Sequence, residues 1–319
     1  MSTDWQPAAS FATLNARAKL LQTIREFMLQ RDIMEVETPV LGNAGVNDPA
    51  IRSLVTRFSH PVDSRPHTLY LQTSPEYAMK RLLAAGSGPV YQIGRVFRDG
   101  ELGRLHNPEF TLLEWYRPGF DHHALMEELD ELMILLGWEV AGRYEYRELF
   151  LEHVGIDAVT ATLPALQQEA GAAGLHSASP ERSVLLDFLF SHRVVPQLGL
   201  ERPAFVMHYP ACQGALARLK PDAPAVAERF ELFVNGIEIA NGFHELTDAG
   251  EQRQRINDEI ERRRRNNDNL LPIDERLLAA LEAGLPDCAG VAVGVDRLLM
   301  CLLQLDSLQQ VLAFPVERA

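Results

Sequence analysis

The first regular pattern along the chain is helical. Apolar side chains recur at intervals of three or four residues, at Leu14, Ala18, Leu21 and Met28. This spacing predicts a helix over residues 11–30 with Ser10 or Thr13 as its N-cap. Residues 33–41 then have the composition of a strand, and Pro39 either confines that strand to a sheet edge or interrupts its hydrogen-bond ladder.

Two antiparallel hairpins are predicted from runs of strand-forming residues. Residues 90–98 and 110–117 form the first, joined by a long polar loop. Residues 230–234 and 237–240 form the second, which turns at Asn235-Gly236, the strongest short-range hairpin signal.

Shorter elements surround these hairpins. Residues 68–72 predict a strand. Ser74-Pro75-Glu76 then has the order of an N-cap, an N1 proline and an acidic N2 residue, which is typical of the start of a helix. Gly86 is predicted to end that helix. Near the C-terminus we expect a helix over 273–283, a strand over 290–294 and a helix over 296–303. Antiparallel strands with flanking helices predict an α+β fold.

No internal repeat or low-complexity segment divides the 319 residues, so we expect one domain spanning 1–319. Residues 124–224 are richer in alanine, glycine and proline, and we expect them to form a surface-exposed insertion. The sequence assigns no function to them.

Charge and cysteine content narrow the function. The net charge of −14 opposes a protein that binds mainly by neutralising nucleic-acid phosphates. The basic run 262–265 follows a helix cap at Asp248 and lies among acidic residues, so we expect a solvated or subunit-facing helix surface. The cysteines Cys212, Cys288 and Cys301 are odd in number and far apart, which favours a reducing cytoplasm over a disulfide framework. The most apolar stretch, 288–305, carries charges at its middle, so no membrane span is expected.

Candidate chemistry begins on the second strand of the first hairpin. The period of two places Phe110, Leu112, Glu114 and Tyr116 on one face. From this segment alone Glu114 and Tyr116 could be an exposed rim beside a core. Arg98 ends the partner strand, however, and the loop supplies the phosphate and adenine donors Arg104, His106 and Asn107.

The second hairpin offers two carboxylates, Glu238 and Glu245, which suit Mg²⁺. A spacing of seven puts them on opposite faces of a regular strand, so a break at Asn241-Gly242 is needed to bring them together. Without a break they are two unrelated surface glutamates.

Residues 290–297 predict a strand that runs into a helix, with glycines that allow a ligand close to the backbone. Arg297 interrupts this apolar segment. Its guanidinium either pairs with Asp296 or stacks on a flat ligand.

In this order, these segments resemble the three signature motifs of class II aminoacyl-tRNA synthetases. Residues 11–39 are similar to motif 1, which forms a dimer in that family. Residues 96–116 resemble motif 2 of the lysyl branch, and residues 294–297 resemble motif 3. The resemblance covers nearly the whole chain and implies an antiparallel sheet of six or seven strands flanked by helices.

The resemblance also implies roles for particular residues. Arg98 would stabilise the α-phosphate charge, Phe110 and Arg297 would sandwich adenine, and Glu238 and Glu245 would be catalytic with Arg98 and would hold Mg²⁺. The implied ATP-binding set is Arg98, Asp99, Gly100, Asn107, Phe110, Glu238, Ile239, Gly294 and Arg297. The implied amino-acid pocket contains Ser74, Pro75, Glu76, Glu114, Tyr116, Glu245 and Ala292. Several anionic oxygens suit a substrate with two ammonium groups, such as a lysine isomer.

One position departs from the family pattern. Most relatives have Arg-x-Glu in motif 2, whose glutamate contacts the adenine amino group. Here Arg98-Asp99-Gly100 precedes Glu101, so Glu101 or a backbone carbonyl would have to replace that contact.

Within the family, the chain resembles stand-alone ligases that activate (R)-β-lysine with ATP and pass it to a lysine of elongation factor P. The motif 1 helix starts about ten residues from the beginning of the sequence, so we expect no N-terminal anticodon-binding barrel and no tRNA partner. Ala292 stands where lysyl-tRNA synthetases have glycine. Three alternatives remain open: a compact enzyme that charges tRNA or another acceptor with α-lysine, an amide synthetase resembling ammonia-dependent asparagine synthetase, and a non-catalytic amino-acid sensor.

Overall fold

The structure, a computed structural model, describes residues 5–59, 66–176 and 179–319. These residues form two units. The first comprises the described residues of 1–118, 247–287 and 292–319, and the second comprises those of 119–246 and 288–291. This division does not test the expectation of a single catalytic domain, which stays a prediction.

In the first unit the predicted N-terminal helix is confirmed as α1, Phe11–Leu29. Ser10 is its N-cap, because its Oγ accepts a hydrogen bond from the Thr13 backbone N–H at 3.1 Å. The predicted strand after α1 is broken into β1, Met34–Glu35, and β2, Leu41–Gly42, so the expected interruption around Pro39 is confirmed.

A small sheet and a second helix complete this part of the first unit. The strands β3 (Val55–Ser59) and β4 (Pro66–Leu71) join β2 in a small antiparallel sheet of order β2-β4-β3. The helix α2 (Glu76–Ala84) follows. It begins one residue later than predicted, since Pro75 lies before its first residue, and Gly86 follows its end with a φ of +86°.

The first predicted hairpin is confirmed as β5 (Val90–Phe97) and β6 (Glu109–Pro118). The strands are antiparallel, with Gln92 opposite Glu114 and Val96 opposite Phe110. This register places Phe110 beside Val96 at the end of the hairpin that is nearest to the loop.

The second unit contains four α-helices and five complete strands among its described residues. They are α3 (His122–Leu135), β7 (Gly142–Glu145), α4 (Tyr146–Val154), α5 (Leu163–Ala172), α6 (Arg182–Leu189), β8 (Ala204–Pro210), β9 (Leu219–Lys220), β10 (Ala223–Val234) and β11 (Ile237–His244). The predicted turn at Asn235-Gly236 is confirmed, and both residues have the positive φ values, 51° and 68°, of a type I′ turn.

The expectation of a surface-exposed insertion over 124–224 is wrong. This segment supplies most of a buried apolar cluster in the second unit, in which Tyr146, Phe150 and Phe190 stack and Leu185, Leu186 and Phe233 also take part. The sequence pattern hid this core because its helices are short, between eight and ten residues for α4, α5 and α6.

The chain ends with α7 (Ala249–Arg265), α8 (Glu275–Gly284), β12 (Cys288–Gly294) and α9 (Val295–Leu302). All three predicted C-terminal elements are thus confirmed within two residues. Asp248 caps α7, since its Oδ1 accepts from the Glu251 N–H at 2.7 Å. None of the helices in the described part of the chain combines the length and apolar character that a membrane crossing requires.

The predicted α+β class is confirmed, with a sheet whose pairings are mostly antiparallel. Its order is β1-β5-β6-β12 in the first unit and β12-β11-β10-β8-β7 in the second, with β9 on β10. The described strands of this sheet number nine, not the six or seven expected. The additional strands are the short β1, β7 and β9, and two of these, β1 and β7, pair in parallel with β5 and β8.

The basic run 262–265 was expected to be a helix surface, and for Arg263 this is wrong. Arg263 is 3% exposed. Its guanidinium donates to the backbone carbonyls of Val46, Asn47, Asp48 and Ile51. One arginine of the run therefore fixes a loop of the first unit to α7.

Candidate active site

A buried carboxylate lies at the centre of the candidate amino-acid site in the first unit. Glu114, on β6, is 2% exposed and accepts hydrogen bonds from the Ser74 and Tyr116 hydroxyls, both at 2.7 Å. The interpretation of Glu114 and Tyr116 as an exposed rim is therefore wrong. Ser74 Oγ also accepts from the Glu76 N–H at 3.0 Å, so one hydroxyl links the start of α2 to β6.

A second carboxylate stands beside the first. Glu76 accepts from Lys80 Nζ at 2.7 Å, and Lys80 is 2% exposed. Burial, and then the charge of Glu76, raise the pKa of Glu114 to about 7, while the hydrogen bonds from Tyr116 and Ser74 and the charge of Lys80 act in the opposite direction. Two carboxylates and one lysine leave a negative excess, which is the complement of a cationic ligand.

Lys80 is a component of this site that sequence reasoning missed. Its position four residues after Glu76, in the next turn of α2, was visible in the sequence. Because it is one of only three lysines in the chain, that spacing was the available signal. Its burial was not predictable, since lysine is rarely buried without a partner.

The residues predicted to bind ATP in the first unit gather around the end of the β5–β6 hairpin. The Arg98 guanidinium lies over the Phe110 ring, 5.1 Å from its centre, and 3.7 Å from the Glu101 carboxylate. Arg98 Nε is buried and has no hydrogen-bond partner among the residues that the structure describes. A buried guanidinium nitrogen with spare donor capacity fits an anionic ligand.

Gly100, which replaces the family's glutamate, adopts a φ of +79°. This conformation favours glycine, because a side chain there is strained even though no neighbouring atom lies within 4 Å of the position that a Cβ would take. The Asp99 N–H, in the same turn, donates to the Arg52 carbonyl at 2.8 Å. Glu101, which follows Gly100, lies 3.7 Å from the Arg98 guanidinium.

Asn107 and Arg297 also lie in the first unit and contact its loops. Asn107 is 6% exposed. Its amide donates to the Glu109 carbonyl at 2.6 Å and accepts from the Val316 N–H at 3.1 Å. Arg297 donates to the Leu105 carbonyl at 3.2 Å and lies 2.9 Å from His106 Nε2. The loop residue His106 is thus brought to Arg297, and the adenine-stacking role of Arg297 stays a prediction.

The neighbouring Asp296 belongs to a different interaction from the one considered in the sequence. Its Oδ1 pairs with Arg17 of α1 at 2.5 Å, and its Oδ2 accepts from the Thr111 N–H of β6 at 2.7 Å. Asp296 therefore ties α1, β6 and α9 together. Of the predicted residues nearby, Ala292 and Gly294 are both half-buried and point to the same side of β12.

A cavity of about 570 Å³ in the first unit is lined by Ser74 and Pro75, together with residues of β4, α2 and the start of α8. Glu76, Glu114 and Tyr116 do not line it. The candidate amino-acid site is therefore assigned from the charges of the carboxylate cluster and not from the size of this cavity.

Glu238, Ile239 and Glu245 lie in the second unit. The strand β11 runs without a break through Asn241-Gly242, so the expected position of the irregularity is wrong. The register instead shifts at Ile239, because Leu232 pairs with Ala240 while Phe233 pairs with Glu238. This bulge adds one residue and puts Glu238 and Glu245 on the same face.

Sequence reasoning also missed Glu231 of the second unit. Glu231 is 9% exposed and pairs with Arg229 and the Tyr209 hydroxyl. Burial raises its pKa to about 7, and the charge of Glu238 acts in the same direction. Glu231 of β10 and Glu238 of β11 are therefore close enough for their charges to interact.

Comparison of the sequence with known proteins places the chain in a family. A sequence model of the class II tRNA synthetases (D, K and N) matches residues 3–318. The chain is 50% identical to the elongation factor P–(R)-β-lysine ligase of Pseudoalteromonas translucida, over 99% of this chain and 98% of that protein. It is 49% identical to the ligase of that name from Vibrio cholerae, over 100% and 99% of the two chains. The chain therefore belongs to the class II tRNA synthetase family.

Proposed function

We propose that this protein is an ATP-dependent, AMP-forming ligase that activates (R)-β-lysine as its adenylate and transfers it to a lysine side chain of elongation factor P. The observation that carries the proposal is the buried Glu114, held by Ser74 and Tyr116 beside Glu76. Relatives of similar length with that ligase name support the substrate and the acceptor.

The amino-acid pocket fits a diamine. The carboxylates of Glu76 and Glu114 exceed the charge of the Lys80 ammonium by one, so the cluster can accept a ligand ammonium. Tyr116 orients Glu114 from one side while Ser74 orients it from the other. A ligand ammonium near Glu114 favours its ionised form and lowers its pKa. Ala292 adds a methyl group where glycine is typical of lysyl-tRNA synthetases, and we propose that it disfavours α-lysine.

The reaction has two steps. The substrate carboxylate attacks the α-phosphorus of ATP, expels pyrophosphate and forms a mixed anhydride with AMP. An unprotonated lysine amine of the acceptor then attacks the carbonyl carbon, AMP leaves, and an amide bond and a released proton complete the balance. Arg98 stabilises the charge that accumulates on the α-phosphate, and Phe110 and Arg297 hold adenine.

We propose that Glu238 and Glu245 bind magnesium, since the bulge at Ile239 turns both carboxylates to one face and oxygen is the donor that Mg²⁺ prefers. When bound, Mg²⁺ neutralises and orients the phosphates of ATP. We further propose that the remaining ATP contacts come from Asp99, Gly100, Asn107, Ile239 and Gly294.

The same proposal includes the cellular location and the oligomeric state of the protein. Cys212, Cys288 and Cys301, all in the described part of the chain, form no disulfide, which supports a reducing cytoplasm as the site of the reaction. A homodimer formed through α1 is supported by the exposed apolar side chains of Phe11, Leu29 and Met34.

Amino-acid-dependent exchange of pyrophosphate into ATP tests the activation step. We expect strong exchange with (R)-β-lysine, weaker exchange with α-lysine and none with other standard amino acids. Glu114→Gln should reduce the exchange at least about tenfold, because it removes a charge-assisted contact of about 1.5–3 kcal/mol. Glu109→Gln, an exposed carboxylate on the same strand, is the matched control. Exchange that is equal in the two variants, or absent with every amino acid, contradicts the proposal.

A further inference from the structure

A histidine cluster in the second unit has no part in the proposed ligase reaction. His122 and His123 begin α3, His208 lies in β8, and His244 ends β11. His122 and His208 are 3% and 8% exposed. Ligand atoms of His122, His123 and His208 all lie within 4.8 Å of one another.

The distance between two ring nitrogens fits a shared ion. His122 Nε2 and His208 Nε2 are 3.2 Å apart. Two nitrogen ligands at about 2.0–2.1 Å from a tetrahedral zinc ion lie roughly 3.3–3.4 Å from each other. The nitrogens therefore already stand near the separation that a common ion requires.

The other nitrogen of His208 is held as it is in many metal sites. His208 Nδ1 lies 2.8 and 2.9 Å from the two carboxylate oxygens of Glu145. A carboxylate on one ring nitrogen fixes the orientation of the imidazole and makes the opposite nitrogen a better ligand. Glu145 thus presents Nε2 of His208 towards His122.

The backbone around His208 is unusual for a side chain of this kind. His208 has a φ of +63°, in the left-handed region that non-glycine residues rarely occupy. The pairing of β8 with β10 also shifts register between Ala227 and Phe230, opposite this residue. Such irregularities re-aim side chains and are common beside functional sites.

His122 is incompletely satisfied by the protein itself. Its Nδ1 is buried and has no hydrogen-bond partner among the described residues. Because Nε2 is the nitrogen of His122 that faces His208, Nε2 would bind the ion and Nδ1 would carry the proton of the neutral imidazole.

We propose that His122, His123 and His208 bind one divalent transition-metal ion of the zinc class, with Glu145 as a positioning residue. Imidazole nitrogens select zinc, cobalt or nickel and not magnesium or calcium, so this site differs in chemistry from the carboxylate site for ATP. His244 is not part of this ligand set, because it belongs with His122 and Glu228 to a second, overlapping group.

The test uses the full chain without an affinity tag, stripped with a chelator and then titrated with Co²⁺ or Zn²⁺. We expect one ion per chain, with the visible absorption of tetrahedral Co²⁺. His208→Asn, chosen because asparagine tolerates a positive φ, and His122→Asn should lose this absorption. Glu145→Gln should retain it with affinity about 10–100-fold weaker. His192→Asn, an exposed histidine of the same unit, is the matched control.

Circular dichroism separates loss of the site from loss of the fold. A folded parent protein that takes up no more Co²⁺ or Zn²⁺ than folded His122→Asn overturns the proposal. Equal affinities for the parent and Glu145→Gln overturn the role of Glu145. Loss of binding in His244→Asn but not in His208→Asn overturns the ligand set. These results do not depend on ligase activity.

Discussion

At the residue scale, the proposed amino-acid site depends on one carboxylate with two hydroxyl partners. Glu114 is buried, and this burial would be unfavourable without Ser74, Tyr116 and the nearby Lys80. A ligand ammonium supplies the remaining positive charge. The site is therefore less favourable when empty than when occupied, which is usual for a binding site built on a buried charge.

The raised pKa of Glu114 predicts how stability depends on pH. Its pKa rises from 4.5 to about 7 on folding, so the folded state binds more protons than the unfolded state between these values. The free energy of unfolding contributed by Glu114 therefore falls as pH rises from about 4.5 to about 7. Glu114→Gln should make urea midpoints less dependent on pH across this range. An unchanged dependence would contradict a raised pKa, although Glu231 and Glu259 contribute residual slope of the same sign.

Ala292 carries the prediction about selectivity. Removing its methyl group in Ala292→Gly should improve the use of α-lysine relative to (R)-β-lysine, by about 1–3 kcal/mol in kcat/KM discrimination. The ratio of exchange rates measures this effect. Ala289→Gly, on the same strand and 0% exposed, controls for weakening of β12. A ratio that does not change in Ala292→Gly shows that selectivity arises elsewhere.

At the scale of elements, α1, β6 and α9 are joined by the Asp296 carboxylate. Arg17 and the Thr111 N–H both bind it, and Asp296 is 2% exposed. Arg17→Met leaves a buried charge with one partner fewer, and we expect a loss of about 3 kcal/mol or more of unfolding free energy.

Arg25 on the same helix is the control for this prediction. Its pair with Glu35 is exposed on both sides, with side chains 48% and 39% accessible. Arg25→Met should therefore cost no more than about 1 kcal/mol. Equal changes in the urea midpoint for the two variants would show that Asp296 does not depend on Arg17.

Much of the fold could be predicted from local signals. Ser10, Asp248 and the Asn235-Gly236 turn act through their own neighbours in sequence, so the elements they bound were found. The parallel pairing of β1 with β5 and the bulge at Ile239 could not be found, because both depend on strands that are distant in sequence. The core of residues 142–233 was missed for the same reason, since its short helices become stable only when packed together.

Part of the candidate site was also predictable from the sequence. The period of two on β6 put Glu114 and Tyr116 on one face, whereas their roles and that of Arg98 came from the resemblance to the synthetase motifs. Lys80 and Glu231 were missed because a buried charge is recognisable only once its partner is known. The histidine cluster was missed because 122, 208 and 244 are far apart in sequence.

At the scale of the whole molecule, the exposed apolar residues of α1 predict self-association. We expect a mass in solution of about twice the 35.7 kDa of one chain. Leu29→Glu puts a charge on this helix at a residue 74% exposed in one chain and should shift the protein towards the monomer. Light scattering distinguishes the outcomes, and a parent protein that is monomeric at micromolar concentration contradicts the dimer.

The acceptor decides between this ligase and a synthetase that charges tRNA. The most direct measurement supplies ATP and radiolabelled (R)-β-lysine together with elongation factor P and tRNA, and follows the label in each macromolecule. We expect label on elongation factor P, retained after alkaline treatment that cleaves aminoacyl esters, and none on tRNA. Label on tRNA, lost under the same treatment, or label on neither acceptor would contradict the proposed ligase.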